Sequence, residues 1–478
     1  MMMNEPTDNR QSNEQAPVRV ALDVGTTKVV AVAGRFNAHR KIEVIDYAIL
    51  QNTGMVQGEI FNLMETSQTI QHVMDELQQK TGRQFDKVTV GISGDHIRAI
   101  YTREYIIRPE PRELILQQDI DELKELAKKS IIIEEQEEIL EVIPQGYMID
   151  NKWVKGSPIG TIGKRFEASF LVIVGKNKKI DKLIRSVKLA GLEIEDIYLQ
   201  PIASAKAVLK EPQCQLGVAL IDIGGGTTDI LICNNGAVRF TGIIPVGGDF
   251  LTEEIYKHFH IEPKTAESIK LKYGTALLSN EDKKKVYRLA LDWTPRPFEF
   301  KLETLSNLIR VKLDQIVNQI EQFIDDYQSF FPGEKINLGV VVTGGGSQLK
   351  NIIQYLQYKL GRDVVLGKPG ILLAPSPIND KLARPQFATV IGLLQLALEK
   401  AAQQSPETWT PPQRDERSPA GSPTFREAGE EESPTTAQTA EESTGKKRNL
   451  FSILQKLFSA VDEANKEQST KNNSHDQE

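Results

Sequence analysis

The sequence has little cysteine, no long apolar run and no strong excess of charge of one sign. Its 478 residues include two cysteines, Cys214 and Cys233, which are too few for a disulfide framework or a cysteine-rich metal site. The net charge of −7 argues against a large nucleic-acid-binding surface, so we predict no nucleic-acid partner. No run of apolar residues approaches the ~18 that cross a bilayer, and the polar N-terminus lacks the apolar core of a signal peptide. We therefore expect a cytosolic protein, unless a separate element attaches it to a membrane.

The composition changes along the chain in a way that predicts one folded body and one tether. Residues 1–17 are polar and predicted to be disordered, and the body follows from residue 18 to residue 401. Residues 402–445 are rich in Pro, Ser, Thr and Glu, and have too little apolar surface to offset their chain entropy. Residues 446–462 regain apolar side chains before a polar tail, residues 463–478, that is also predicted to be disordered. The pattern is typical of a flexible linker that carries a short terminal helix.

One strand–turn–strand pattern occurs twice in the body. VRVALDVGTTK at the start and LGVALIDIGGGTTD about 200 residues later both place an aspartate at the end of an apolar strand, before a turn of Gly and Thr. These aspartates are Asp23 and Asp222. Two unrelated hairpins would also give Gly-Thr turns, but the agreement position for position favours a duplicated domain with a cleft between its halves.

The two turns carry the residue types that a polyphosphate requires. Glycine lets backbone N–H groups approach phosphate oxygens without a Cβ clash, and threonine hydroxyls add donors. Lys28 adds positive charge, and an aspartate at the strand end can hold Mg²⁺ directly or through water. Two such turns facing each other predict a nucleotide site more strongly than one turn does.

Two further segments are candidates for the nucleoside. VVTGGGSQLKNI places a Gly-rich turn between a strand and a helix, which suits an adenosine or phosphate group, although glycines used only for close packing would look the same. It is not a Walker A motif, and no dinucleotide fingerprint is present. In AESIKLKYG, Glu267 and Lys270 lie one helical turn apart and could contact a ribose or base, or form a surface ion pair.

The order of DVGTTK, IDIGGGTTD and VVTGGGSQLKN resembles the phosphate-1, phosphate-2 and adenosine motifs of the actin, heat-shock chaperone and sugar-kinase ATPase superfamily. GISGDHI (91–97), IPQGYMID, SPIGTIGKRFEASFLVIVG, LQPIASAKAVL and AESIKLKYGTA narrow the resemblance to the FtsA family of bacterial cell-division proteins. The resemblance covers residues 18–400 in order. The glycine turns are shared by the superfamily, whereas the IPQGY and PIG-x-x-G stretches are more specific.

The resemblance implies an α/β, actin-like ATPase fold, in which duplicated ribonuclease-H-like domains surround a nucleotide cleft and an inserted α/β subdomain replaces the usual fourth one. The expected division is residues 18–100 and 178–215 for the first domain (1A), 101–177 for the insert (1C), 216–243 and 333–401 for the second core (2A), and 244–332 for subdomain 2B. Within the insert we expect a charged helix over residues 111–130.

The resemblance also implies ATP and Mg²⁺ as ligands. Phosphate-binding residues would be Asp23, Gly25, Thr26, Thr27, Lys28, Asp222, Gly224, Gly225, Gly226, Thr227 and Thr228. The adenosine pocket would use Glu267, Lys270, Gly344, Gly345, Gly346 and Ser347. Asp23 and Asp222 would surround Mg²⁺, through bound water.

Hydrolysis is less well specified by the sequence, because attack on the γ-phosphate needs a positioned water and often an acidic or amide side chain. The segment QPIASAKA offers Ser204 and Lys206 but no carboxylate. No catalytic residue is assigned, and we expect ATP binding with weak or no ATPase activity. The nucleotide would then act as a switch of conformation or assembly.

FtsA-like proteins polymerise through the inserted subdomain, bind the C-terminal peptide of the tubulin-like GTPase FtsZ and help recruit later division proteins. In the docking helix the family has an arginine followed three residues later by a glutamate. This sequence has Lys312 and Gln315 there, so the spacing is kept but the carboxylate is absent. This difference from the family pattern concerns the prediction that FtsZ is a partner, and not the prediction of a nucleotide site.

KKRNLFSILQKLFSAV predicts an amphipathic helix with a basic flank, which is what an interfacial membrane helix requires. A helix that docks on a protein would show the same stripe. The predicted membrane-binding residues are Lys446, Lys447, Arg448, Leu450, Phe451, Leu454, Leu457 and Phe458. FtsA-like proteins end in such a helix, so the resemblance places the chain on an anionic membrane surface, at the cytoplasmic face of the inner membrane and at the division site.

Three other functions fit the superfamily. An acceptor-dependent small-molecule kinase would need a base for the acceptor hydroxyl, and the sequence offers no convincing candidate. A chaperone ATPase would need a substrate-binding domain, which the roughly 75 residues after the body cannot form. A pilus-assembly scaffold has no reason to carry the terminal helix.

Overall fold

The computed structural model describes residues 17–110, 112–290 and 297–404. The predicted lead (except residue 17), the linker beyond residue 404, the terminal helix and the polar tail lie outside these residues. Among the described helices, none combines the length and apolar character needed to cross a membrane.

Strands and helices are mixed along the described part of the chain. The strands are β1 (Arg19–Val24), β2 (Lys28–Phe36), β3 (Ile42–Gln51), β4 (Met55–Val56), β5 (Glu59–Ile60), β6 (Lys87–Ile92), β7 (Ile97–Ile107), β8 (Glu137–Ile149), β9 (Lys152–Val154), β10 (Arg165–Lys176), β11 (Glu193–Leu199), β12 (Val218–Ile223), β13 (Thr228–Asn234), β14 (Ala237–Ile244), β15 (Val286–Leu289), β16 (Phe298–Lys301), β17 (Val340–Thr343) and β18 (Val364–Leu366). The α-helices are α1 (Leu63–Thr81), α2 (Gln117–Ser130), α3 (Asn177–Leu189), α4 (Gln200–Val208), α5 (Glu211–Leu216), α6 (Gly248–Phe259), α7 (Pro263–Tyr273), α8 (Leu302–Phe330), α9 (Ile352–Leu360), α10 (Pro377–Leu382) and α11 (Ala388–Gln404).

Two five-stranded sheets are built on one plan. The first has the order β11-β6-β1-β2-β3 and the second the order β18-β17-β12-β13-β14. In each sheet the central strand, β1 or β12, pairs in antiparallel with the next strand of its hairpin and in parallel with the strand on its other side. The predicted duplication is therefore confirmed in the pairing as well as in the sequence.

Helices pack on both sheets. Helix α1 packs on the first sheet, starting at the Asn62 cap and ending at Gly82 in a left-handed conformation. The 29-residue helix α8 covers the second sheet. Helix α11 packs against the first sheet and against α4, and Gly392 permits this approach because a Cβ there would collide with the backbone of Ala203.

A separate four-stranded sheet with the order β7-β10-β8-β9 leaves the first half after β6 and returns at α3. Its own core joins α2 to the buried face of β10, through side chains such as Leu123, Phe166 and Phe170. The division into subdomains stays a prediction. This sheet occupies most of residues 101–177, the range predicted for the insert.

Two local predictions differ from the structure. The charged helix of the insert begins at Gln117 rather than at residue 111, because Ile115 is fully buried and bonded through its backbone to Thr161, and the Leu116 N–H then donates to the Asp119 carboxylate at 2.7 Å. The third glycine turn does not lead straight into a helix. A 3₁₀ turn, Gly346–Gln348, follows it, and α9 begins only after Asn351.

Candidate nucleotide-binding cleft

The two Gly-Thr turns have the same backbone structure. In the β1–β2 turn the Gly25 N–H donates to the Lys28 carbonyl at 3.0 Å, and in the β12–β13 turn the Gly224 N–H donates to the Thr227 carbonyl at 2.9 Å. Each turn follows a buried strand whose last residues include an aspartate, so both aspartates are delivered to equivalent positions. The sequence repeat therefore produces a pair of matching turns.

These turns contact each other across the cleft. A Cβ on Gly225 would lie 2.5 Å from Thr27 Cγ2 and 3.0 Å from Thr27 Oγ1. A Cβ on Gly226 would collide with Thr26 Oγ1 and with the backbone of the β4–β5 turn. Real side-chain contacts are longer than this, so the second turn needs glycine here because of the first turn.

Behind the turns the cleft opens between the two sheets. The predicted residues that line it are Asp23, Gly25, Thr26, Thr27, Lys28, Asp222, Gly224, Gly225, Gly226, Thr227, Gly344 and Gly345. Gly344 has φ +84°, and a Cβ there would collide with the Asp222 carboxylate, so the third turn reaches the same aspartate as the second. Residues from three separated segments of the sequence thus line one cleft.

The two aspartates at the strand ends have little positive charge near them. Burial raises the pKa of Asp23 to about 6, while Lys28 opposes the shift and Asp222 adds to it. Burial also raises the pKa of Asp222, against hydrogen bonds from Ser204 and Thr389 and the charge of Lys28. The pKa of Lys28 is lowered, chiefly because it is buried too. These carboxylates face one lysine, and a cation between them would lower their pKa values.

Side chains from α4 and α11 hold the two aspartates in place. Ser204 Oγ donates to Asp222 Oδ2 at 2.5 Å, and Thr389 Oγ1 donates to the same oxygen at 3.3 Å. Gln200 Nε2 donates to Asp23 Oδ1 at 3.2 Å. Gln200 and Thr389 were not predicted, because no local pattern marks them: Thr389 lies 167 residues from its partner.

Asp229 is a further cleft carboxylate that the sequence prediction missed. It accepts a hydrogen bond from Ser93 Oγ at 2.8 Å, and burial together with Asp222 raises its pKa to about 8, against hydrogen bonds from Ser93 and Thr227. The signal was available, since Asp229 is the one charged residue of β13, a strand buried over its whole length. A charge at such a position needs partners or a bound cation.

Five predicted residues do not line this space. Thr228 turns away and donates to the Val246 carbonyl at 2.8 Å, and Ser347 donates to the Gly344 carbonyl at 2.7 Å. Gly346 packs against Ile223. These two residues of the third turn shape the turn from behind and do not face the cleft.

Glu267 and Lys270 form an ion pair at 2.7 Å, as the alternative interpretation expected, but the pair is not a surface one on the lysine side. Lys270 is buried and donates to the Gly248 carbonyl at 2.9 Å, and the Gly248 N–H donates to the Gly224 carbonyl at 2.9 Å. Lys270 is therefore connected to the second glycine turn by hydrogen bonds through Gly248.

Lys312 and Gln315 lie on α8, away from the cleft. Lys312 Nζ pairs with Glu254 at 3.1 Å and lies 4.4 Å from the centre of the Phe250 ring, so it joins α8 to α6. Gln315 is exposed, and so is Val311 one turn before it.

The donor set of the cleft fits a magnesium-bound polyphosphate. Carboxylate oxygens and the water they hold are the ligands Mg²⁺ prefers. The glycine turns leave N–H groups beside Lys28, and the buried aspartates have an excess of negative charge that a divalent cation would neutralise.

Known proteins of one family are similar to most of this chain. The sequence model of the family described as "Cell division protein FtsA" matches residues 219–392, and that of the "SHS2 domain inserted in FTSA" matches residues 94–174. The chain is 32% identical over 386 residues to the cell division protein FtsA of Pseudomonas aeruginosa, which covers 80% of this chain and 89% of that relative. The chain belongs to the FtsA family. With the Escherichia coli relative the identity is 29%, over 80% of this chain and 90% of that one.

The fold is also similar to that of a solved structure, a PilM–PilN type IV pilus biogenesis complex. The TM-score is 0.57 at 15% identity, over 80% of this chain and 98% of that one. At this identity the likeness concerns the fold alone. With the duplicated sheets and the family match, the predicted actin-like fold is confirmed, and the chain is an actin-like cell-division protein.

Proposed function

We propose that the cleft binds ATP with Mg²⁺ and that the bound nucleotide controls how firmly the two sheets close on each other. The observation that carries this proposal is the contact between two matching glycine turns beside buried aspartates that lack sufficient counter-charge. The N–H groups of the turns and Lys28 would bind phosphate oxygens from both sides. Asp23 and Asp222 would hold the hydrated Mg²⁺, which would neutralise charge on the phosphates.

We expect hydrolysis to be slow. Gln200 is engaged with Asp23, and Asp229 is a buried group with a pKa of about 8 that already accepts a hydrogen bond from Ser93. Neither side chain is therefore free to orient a water molecule without breaking an existing contact. A long-lived ATP complex suits a switch better than a fast enzyme does.

Calorimetric titration of the full chain with Mg-ATP tests this proposal. Asp222→Asn should abolish measurable binding, because the neutral amide lacks the negative charge that would hold the hydrated metal, although it keeps the hydrogen bond from Ser204. Asp325→Asn, an exposed carboxylate on α8, should bind like the unaltered chain. Equal affinity in all three proteins would remove the nucleotide-site assignment.

We further propose that the protein anchors FtsZ to the cytoplasmic membrane at the division site and helps to recruit later division proteins. Its membership of the FtsA family supports this role. The FtsZ-binding surface would lie on α8 around Gln315 and Val311, which are exposed, whereas Lys312 is engaged with Glu254.

Fluorescence anisotropy with a labelled peptide from the FtsZ C-terminus tests the docking surface. Gln315→Ala should weaken binding, and Glu321→Gln, exposed on the same helix but about 120° around its axis from Gln315, should not. If neither change alters the affinity, or if the peptide does not bind, the docking surface is elsewhere, while the fold and the nucleotide site stand.

Membrane attachment is proposed for residues 446–462, which lie outside the described residues. The proposal is based on the basic flank and the apolar stripe of this segment. Each basic side chain would contribute about 1 kcal/mol of binding free energy on an anionic leaflet. Deleting residues 446–478 should release the protein from anionic liposomes in co-sedimentation, whereas deleting residues 463–478 alone should not. Persistent co-sedimentation of the longer deletion would refute the helix as the anchor.

Self-association through the insert is proposed from its exposed apolar side chains. Ile132, between α2 and β8, is 92% exposed, and Trp153, in β9, is 62% exposed. Large exposed apolar groups on one subdomain are typical of an interaction surface. In pelleting assays with ATP, Ile132→Lys should reduce the sedimented fraction severalfold, and Lys129→Gln on the same subdomain should not.

A further inference from the structure

A histidine and two carboxylates come together where the insert leaves the first half of the molecule. One ligand atom each from Glu59, Asp95 and His96 lie within 4.8 Å of one another. Glu59 belongs to the β4–β5 hairpin, and Asp95 and His96 belong to the loop between β6 and β7. The two segments are brought together only by the fold.

The state of His96 is what singles out this cluster. The residue is 6% exposed, and neither of its ring nitrogens has a hydrogen-bond partner among the described residues. Buried polar atoms are nearly always paired, so an imidazole with two unpaired nitrogens calls for a ligand. The nitrogen that a metal would use is part of the cluster.

A glycine in the same loop leaves room for the ring of His96. Gly94 has φ +145°, and a Cβ on it would lie 2.6 Å from Cε1 and Nδ1 of His96. The ring therefore packs over a position that only glycine can occupy. On the other side, the tip of the β4–β5 hairpin reaches the second phosphate turn, since a Cβ on Gly58 would lie 2.6 Å from Thr227 Cγ2.

Two lysines lie next to this cluster, and one of them would compete with a metal ion for a carboxylate. Lys179 pairs with Glu59, and Lys182 donates to the Ile60 carbonyl at 2.9 Å. The Lys179 ammonium group is thus already paired with the Glu59 carboxylate, but it makes no hydrogen bond to His96. Asp95 is exposed and borders a surface pocket with Glu59, while Glu59 and His96 line the cleft between the two sheets, so an ion can reach the cluster from solvent.

We propose that Glu59, Asp95 and His96 bind a divalent transition-metal ion such as Zn²⁺, which joins the β4–β5 hairpin to the root of the insert. One imidazole nitrogen and two carboxylate oxygens suit Zn²⁺ or Mn²⁺, whereas Mg²⁺ prefers oxygen ligands alone. Ligand atoms around zinc lie about 2.0–2.2 Å from the metal, so the three groups would draw together on binding and Lys179 would release Glu59. Water would complete the coordination.

Titration of the full chain with ZnCl₂, in buffer free of nucleotide and Mg²⁺, tests the proposal. We expect one zinc ion per chain and a loss of affinity of tenfold or more in both Asp95→Asn and His96→Gln. Asp95 is exposed, so its variant stays informative even if the buried histidine variant does not fold. His72→Asn, at an exposed position on α1, is the matched control and should bind as the unaltered chain does.

Two further variants separate this site from its neighbours. Lys179→Gln should bind zinc more tightly, because it removes the competing cation from Glu59. Glu59 and His96 line the same cleft as Asp222, but Asp222 is not one of the proposed zinc ligands. Asp222→Asn should therefore leave zinc binding unchanged while it removes nucleotide binding. The visible absorption of bound Co²⁺ should change when His96 is replaced.

The proposal is overturned if the unaltered chain binds no zinc, or if Asp95→Asn binds zinc as tightly as the unaltered chain. It is equally overturned if Mg²⁺ displaces Zn²⁺ at equal concentration, since an oxygen-only site would then be responsible.

Discussion

The contact between the two glycine turns can be tested by adding one methyl group to one turn and removing one from the other. In Gly225→Ala the new Cβ would lie 2.5 Å from Thr27 Cγ2, 3.0 Å from Thr27 Oγ1 and 3.2 Å from Asp249 Oδ2. In Thr27→Ser the Cγ2 atom is absent, so the shortest of these contacts disappears. The double variant should therefore tolerate the added methyl better than the single variant does.

The expected energies follow from these distances. A carbon–carbon contact of 2.5 Å must open by about 1 Å to reach an ordinary separation, and overpacking of this kind costs about 1–3 kcal/mol of unfolding free energy. Thr27 is exposed, so Thr27→Ser alone should cost about 0.5 kcal/mol or less. The coupling between the two changes should be on the order of 1 kcal/mol, with the double variant more stable than the sum of the single effects.

Urea unfolding of the four proteins of this cycle measures the coupling. Gly345→Ala is the matched control, since it also lies in the cleft, but a Cβ on it would have no neighbour within 4 Å among the described residues. We expect this control to unfold like the unaltered chain. If Gly225→Ala costs the same free energy with Thr27 and with Ser at that position, the turns do not touch in solution and the closed cleft is wrong.

Three other substitutions test the supports of the cleft and of the insert. Ser204→Ala removes the hydrogen bond that opposes the raised pKa of Asp222, so Mg-ATP affinity measured by calorimetry should fall about tenfold at pH 7 and recover as the pH rises. Lys270→Met removes the ammonium that bonds the carbonyl beside the second turn, so Mg-ATP affinity should fall severalfold, and Lys270→Arg should restore most of it. Arg98→Met leaves Glu137 without the guanidinium that chiefly lowers its pKa and should cost about 1–3 kcal/mol in urea unfolding near pH 7. Because the pKa of Glu137 is lowered in the folded state, the advantage of the unaltered chain is present above the ordinary pKa of 4.5 and should vanish as the pH falls through the lowered value; equal stability near pH 7 would contradict it.

The parts of the site that sequence could predict are those in which local chemistry repeats. Asp23 and Asp222 stand at equivalent ends of two apolar strands, and the Gly-Thr turns after them have the same hydrogen bond. Strand periodicity and turn chemistry are local, so they are visible in one sequence.

Other parts depend on contacts between distant segments. Thr389 reaches Asp222 from a helix far along the chain, and His96 meets Glu59 only after the hairpin folds onto the β6–β7 loop. The start of α2 was predicted too early because its first residues satisfy a charged helical pattern, whereas burial of Ile115 fixes them in an extended connection. Tertiary packing decided each of these points, and a single sequence does not display it.

The most direct test of the account is a crystal structure of the full chain with Mg²⁺ and a non-hydrolysable ATP analogue. The account predicts the β- and γ-phosphates between the Gly25–Lys28 turn and the Gly224–Thr227 turn, with Mg²⁺ and its waters facing Asp23 and Asp222. A nucleotide bound elsewhere, or phosphates that contact only one of the two turns, would contradict it.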